Sequence, residues 1–237
     1  PRLKEAGFPF TLFVSTDSVD RGSKDMLTWD QIREIAANGG TIGHHSASHP
    51  HMAKAPKGLI DEELKGPNRR FLAELGEIPK LFAYPYGEAS REIQEMISQS
   101  GFKAAFGQHS GAIGRGDDFL YLARFSMNEK YGHMNRFRLA ANALALPVTD
   151  ITPSDPLIGD INPPHYGFTV SGEIKGLERL NCFPSHGGGL ELTRLGAHRI
   201  EVRMDKPFPP GRTRVNCTLK ETDGRWRWLG RQFYVPQ

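Results

Sequence analysis

Apolar and polar positions change their period once along these 237 residues. From residue 8 to residue 147, short apolar runs alternate with segments whose apolar side chains recur every three or four positions. That is the pattern of crossover units that build a parallel sheet or barrel. Strands are predicted at residues 10–15, 41–43, 81–83 and 102–106. Between them, Thr28 and Gln31 form a capping box, Ile32, Ile35 and Ala36 give one apolar face, and Gly39-Gly40 closes the helix. Residues 59–75 also read as helical, with Gly66-Pro67 expected to split or kink the segment. Ser90 caps a helix that turns Ile93, Met96 and Ile97 inward and stops at Gly101, and a last helix is predicted over 135–146. At the start, Leu3 to Ala6 read as the final turn of a helix ended by Gly7. The chain is therefore expected to begin in mid-fold, with a first strand and any targeting segment upstream of Pro1.

After residue 147 the rhythm is different. Pro147, Pro153, Pro156, Pro163 and Pro164 crowd a stretch rich in Asp, Asn and Gly, which predicts a linker over 148–164. Ile200, Val202 and Met204, then Val215, Cys217 and Leu219, then Trp226 and Trp228, alternate with polar neighbours. Period-2 alternation broken by turns at 207–211 and 222–224 predicts antiparallel strands with one buried face. Three units follow: an α/β domain over 1–147, the linker, and a small all-β module over 165–237. Trp226 and Trp228 read as sheet core, with a sugar-stacking platform as the alternative. Cys182 and Cys217 fall on apolar faces and read as two buried thiols. Gly187-Gly188-Gly189 reads as a loop, without the helix start that a phosphate cradle needs.

Composition narrows the class. No apolar run approaches the roughly 18 residues of a membrane helix. The formal net charge is only +3, so a dedicated nucleic-acid binder is not expected. Residues 1–150 carry 18 basic and 18 acidic groups, and the excess lies in residues 151–237, with 12 against 9. Two cysteines exclude a disulfide scaffold and a four-cysteine zinc site.

Candidate chemistry begins with four histidines in eight residues: His44, His45, His49 and His51. Imidazoles four residues apart face the same way across one helical turn, and neutral imidazole suits a divalent transition metal, Zn²⁺ first. Ser46 follows His45 where a zincin protease needs Glu, which excludes that class; a polar loop that binds nothing is the alternative. His45 and His49 leave the carboxyl end of the strand at 41–43, where parallel α/β folds place their sites. Tyr84-Pro85-Tyr86-Gly87 leaves the next strand in the same way. Pro85 fixes one torsion and Gly87 permits a tight backbone, so the Tyr86 N–H can be held as an oxyanion donor; a plain aromatic turn is the alternative.

In this order and on successive strands, the two motifs resemble the polysaccharide deacetylases, the NodB-homology group of carbohydrate esterases. The resemblance covers about residues 8–130. His45-Ser46-x-x-His49 is similar to the group's His-[Ser/Thr]-x-x-His motif, residues 82–87 to its motif ending Pro-Tyr-Gly, and Leu122-Ala123-Arg124 to the segment that follows. It implies an irregular (β/α) barrel, here lacking its first strand, followed by the all-β module. It also implies His45 and His49 as metal ligands, Ser46 as the brace of their loop, the Tyr86 amide with Pro85 and Gly87 as the oxyanion turn, and Tyr84 as a substrate contact. The implied reaction is metal-dependent removal of N-acetyl or O-acetyl groups from a polysaccharide or oligosaccharide. A non-catalytic carbohydrate-binding or scaffold protein on the same fold is the competing reading.

The departures are specific. No Thr-Phe-Asp-Asp-Gly segment, which would give an Asp base and an Asp ligand, lies in this chain; its usual place is just upstream of Pro1. Ala83 stands where many members have Arg, and the segment that would supply the general acid is not found. Asp17 reads as a solvated loop residue. Paired aspartates upstream of Pro1 would separate enzyme from binding protein. The polymer, the compartment (cell envelope or cytoplasm) and the oligomeric state stay open.

Overall fold

The computed structural model describes residues 2–187 and 189–236. Pro1, at the expected mid-fold start, Gly188 of the triple-glycine loop and Gln237 lie outside the described residues. The first half runs α1 (Arg2–Glu5), β1 (Thr11–Val14), α2 (Thr16–Asp20), α3 (Trp29–Ala37), β2 (Thr41–His44), α4 (Lys57–Leu75), β3 (Leu81–Ala83), α5 (Arg91–Gln99) and β4 (Ala104–Phe106). Its strands pair in parallel and in chain order, β1-β2-β3-β4. The four described strands form an open sheet and do not close into the expected barrel: β1 borders only β2, while β4 extends through a single bridge from Phe106 to Leu122.

The helices pack as their capping signals require. The Thr28 side chain accepts from the Gln31 amide at 3.3 Å, and Gln31 returns the bond to the Thr28 amide at 2.9 Å, which starts α3 with Trp29 and Ile32 turned inward. The break expected at Gly66-Pro67 does not occur, because α4 runs 19 residues through it. Pro67 forfeits one backbone hydrogen bond there, but it shares a buried face with Ile60, Glu63, Leu64 and Phe71, and tertiary burial outweighs the lost bond. No helix among the described residues is long and apolar enough to cross a membrane.

The second half follows α6 (Met134–Asn142) with β5 (Leu144–Ala145), β6 (Val148–Thr152), β7 (Tyr166–Val170), β8 (Asn181–Pro184), β9 (Leu190–Leu195), β10 (Arg199–Met204), β11 (Gly211–Lys220) and β12 (Trp226–Val235). Two four-stranded sheets, β6-β7-β10-β9 and β5-β12-β11-β8, make a sandwich. The predicted boundaries need correction at this point. Residues 144–145, expected in a helix, pair in parallel with β12, and residues 148–152, expected in a linker, form β6 against β7. Prolines at 147 and 153 flank β6 without interrupting it, so proline density alone overstated the linker.

Tyr166, Phe168, Ile200, Val202, Val215, Leu219 and Phe233 fill the space between the sheets. Two sequence expectations fail in this core. Cys182 and Cys217 are joined in a disulfide, since the β8–β11 register sets them directly opposite with a Cα–Cα distance of 4.0 Å. Trp226 and Trp228 are half-buried and stand on the other face of the sheet, in register with Lys220 and Thr218; Phe233 takes the inner place. Trp228 meets Phe125 edge-on at 5.3 Å and donates from Nε1 to Asn216 Oδ1 at 3.0 Å. That outer face docks on the α/β half, which is why alternation assigned the tryptophans to the wrong layer. Gly230 on β12 has no room for a side chain, because a Cβ there would strike the Ser110 carbonyl.

Candidate active site

His45 and His49 leave the carboxyl end of β2, and Tyr86 leaves that of β3. The His45 and His49 rings lie 4.7 Å apart between centroids, inclined at 75°, and the Tyr86 ring meets His49 edge-on at 4.5 Å. Three residues here take a left-handed backbone without being glycine: Ser46 (φ 63°), His49 (φ 62°) and Tyr86 (φ 57°). Such strain persists only where surrounding bonds over-determine it. Ser46 is fully buried; its hydroxyl accepts from the His49 amide at 3.0 Å, and its own amide donates to His44 Nδ1 at 3.0 Å. Glu63, reaching from α4, accepts from the Ala47 and Ser48 amides and from Ser48 Oγ at 2.6–2.9 Å.

The histidine chemistry follows from burial. His45 Nδ1 donates to the Ala83 carbonyl at 2.6 Å, which leaves Nε2 with its lone pair. Desolvation lowers the His45 pKa to about 4, with His49 and Arg124 adding to the effect against the Ala83 bond, and burial lowers that of His49 as well. Both rings are therefore neutral near pH 7, the form that binds metal. They fit two of the three protein ligands that a catalytic zinc site takes, and no group of three His, Cys, Asp or Glu completes a site among the described residues. A groove of about 510 Å³ in front of them is lined by Phe13, Ser15 and Asp25; Asp17 does not line it.

The Pro-Tyr-Gly turn is clamped from both halves of the molecule. Gly87 (φ 69°) lies against Gln108 so closely that a side chain would collide with it. Its carbonyl accepts from the Tyr121 hydroxyl and from Gln232 Nε2, both at 2.8 Å, and Gln232 also donates to the Tyr86 carbonyl at 3.2 Å. Arg212 lies over the Tyr86 ring at 5.3 Å and 3.6 Å from the buried Glu88 carboxylate. Glu88 accepts from His51 Nδ1 at 2.8 Å, and His51 stacks on Tyr86 at 4.3 Å. The placement of Tyr84 as a substrate contact is corrected: it is fully buried against Phe82 and Tyr121, and its hydroxyl donates to the Leu120 carbonyl at 2.8 Å. Sequence reading missed Glu63, Glu88, Arg212 and Gln232. Only Glu63 carried a signal, an acid at a core position of an amphipathic helix.

The parallel α/β half thus brings two neutral histidines against a Pro-Tyr-Gly turn at adjacent strand ends. Residues 1–105 match the family model described as polysaccharide deacetylase. The Streptococcus pyogenes deacetylase PplD in complex with acetate is 22% identical, with a TM-score of 0.52 over 54% of this chain and 57% of that chain. IcaB from Ammonifex degensii is 24% identical, with a TM-score of 0.50 over 59% and 63%. At these identities the likeness is one of fold. The uncharacterized Bacillus subtilis protein YlxY is 34% identical over 67 residues, 28% of this chain and 21% of that protein. The chain thus spans less than two thirds of each of these relatives. Its first 105 residues are thus similar to the polysaccharide deacetylase family, the NodB-homology group.

Proposed function

We propose that this protein is a metal-dependent carbohydrate deacetylase that hydrolyses N-acetyl or O-acetyl groups on a polysaccharide or oligosaccharide. The observation that carries this reading is the meeting at adjacent strand ends of His49 with His45, 4.7 Å ring to ring, and with Tyr86, 4.5 Å ring to ring. In this reading His45 Nε2 and His49 hold a divalent ion, Zn²⁺ by the preference of imidazole; when bound, such an ion supplies Lewis acidity and a more acidic water. Ser46 and Glu63 keep the two imidazoles at their angle. The Tyr86 N–H, on a turn fixed by Pro85 and Gly87, is the donor for the oxyanion. Asp25 is the carboxylate among the described residues that lines the groove.

The test is acetate release from acetylated hexosamine oligomers, with zinc added, with chelator, and for His49→Ala. Release should need the metal and fall at least a hundredfold in the variant. Release that survives both chelator and substitution sinks the proposal. Oligosaccharide binding without any release would favour the binding-protein reading instead.

A further inference from the structure

A cavity of about 280 Å³ lies between the α/β half and the sandwich and shares no lining residue with the histidine groove. Three of its lining side chains have polar atoms that are buried and without a hydrogen-bond partner among the described residues: Gln94 Nε2, Arg231 Nε and His109 Nδ1. Gln94 and His109 are only 3% and 4% exposed. The amide and guanidinium nitrogens only donate, so two of the three require an acceptor. Left alone, such groups are costly, and native interiors rarely keep them.

The charges around the cavity point the same way. Arg231, Arg214 and Arg124 all bear on His109, whose pKa burial chiefly depresses, to about 3. The described hydrogen bonds of these three guanidiniums go to neutral oxygens: Arg231 to the Ser154 carbonyl, Arg124 to the Gly107 carbonyl, and Arg214 to the Gln232 and Gln108 side chains. The carboxylates at the cavity are already engaged. Asp118 faces Arg91 at 3.4 Å, Asp117 accepts from the Gly114 amide, and Asp150 accepts from the Thr149 hydroxyl. Trp228 and Tyr121 add aromatic surface, and the volume suits one sugar-sized ring better than a polymer.

We propose that this junction cavity is a binding site for a small monocarboxylate sugar of the uronate type. Arg231 and Gln94 take its carboxylate, and Trp228 covers the ring. The site is separate from the acetyl chemistry and does not depend on it.

Calorimetry with glucuronate, glucose and acetate tests this directly. Glucuronate should bind with a Kd of about 1 mM or tighter and raise the melting temperature. Glucose lacks the carboxylate and acetate lacks the ring, so each should bind at least about tenfold more weakly. Arg231→Gln and Gln94→Leu should each weaken glucuronate about tenfold while zinc affinity at the histidine pair stays unchanged. No binding of glucuronate up to about 10 mM, equal binding of glucose, or full binding in both variants would overturn the site. Because the three-ligand comparison is made on the unaltered protein, it decides the matter even if a variant fails to fold.

Discussion

At the scale of single residues, His45 and His49 could be named as candidates because a four-residue spacing is a property of the sequence itself. Their support was not. The Ala83 carbonyl that fixes the His45 tautomer lies 38 residues away, and the Leu120 carbonyl that occupies Tyr84 lies 36 residues away. No local pattern encodes such partners, so Ser46 was read as a brace only through the family resemblance, while Tyr84 was misplaced. Two neutral imidazoles without a third protein ligand should bind Zn²⁺ measurably but more weakly than a chain that adds a carboxylate ligand. Calorimetry should show that binding lost in His45→Ala and weakened about 10- to 100-fold in Ser46→Ala, whose missing hydroxyl frees the His49 amide. Equal zinc affinity in wild type and His45→Ala would remove His45 from the site. Glu63→Gln should cost about 1–3 kcal/mol, since an amide offers one acceptor oxygen to three donors that now share two. Unchanged amide exchange at Ala47 and Ser48 in that variant would count against the clamp.

At the scale of elements, the strands of the first half followed from short apolar runs and α3 and α5 from their caps, while α2 was not foreseen. The sandwich was harder for a physical reason. The sheet containing β11 and β12 is covered on both faces, so alternation located the strands without saying which face met which layer. Trp228→Ala should therefore cost about 2 kcal/mol, less than the 3–5 of a core tryptophan, and Trp226→Ala no more than about 0.5. Urea unfolding measures both, and a loss above about 4 kcal/mol for Trp226 would restore it to the core. The disulfide escaped notice because it depends on pairing β8 with β11, and no strand was predicted over 181–184. It closes a separation of 35 residues, so reduction should destabilise the sandwich by about 3–4 kcal/mol. Reductant-insensitive unfolding of the native protein, with both thiols titrated as free, would contradict the bond.

At the scale of the whole molecule, the change of period divided the chain into an α/β half and a β half, but it said nothing of how much the second contributes to the first. Gln232 and Arg212 come from the sandwich and hold the Tyr86 turn, so the two halves share one site. Their shared interior also sets the response to acid. His44 and His109 are buried, and desolvation brings both from 6.5 down to about 3. The folded chain therefore binds fewer protons than the unfolded chain between those values. Stability from this source is complete above pH 6.5 and is lost as pH falls toward 3, at about 1.4 kcal/mol per pH unit for each histidine. Between about pH 6 and pH 5, where most carboxylates are still ionised, this slope should dominate the curve. His109→Gln removes one titrating ring from the junction and should lower the slope by about that amount, whatever it does to stability at pH 7. Urea midpoints across this window, converted at constant m, give the comparison. An identical slope in His109→Gln and wild type would mean that His109 already carries its proton in the folded state, and the picture of a neutral ring among three guanidiniums would have to be abandoned.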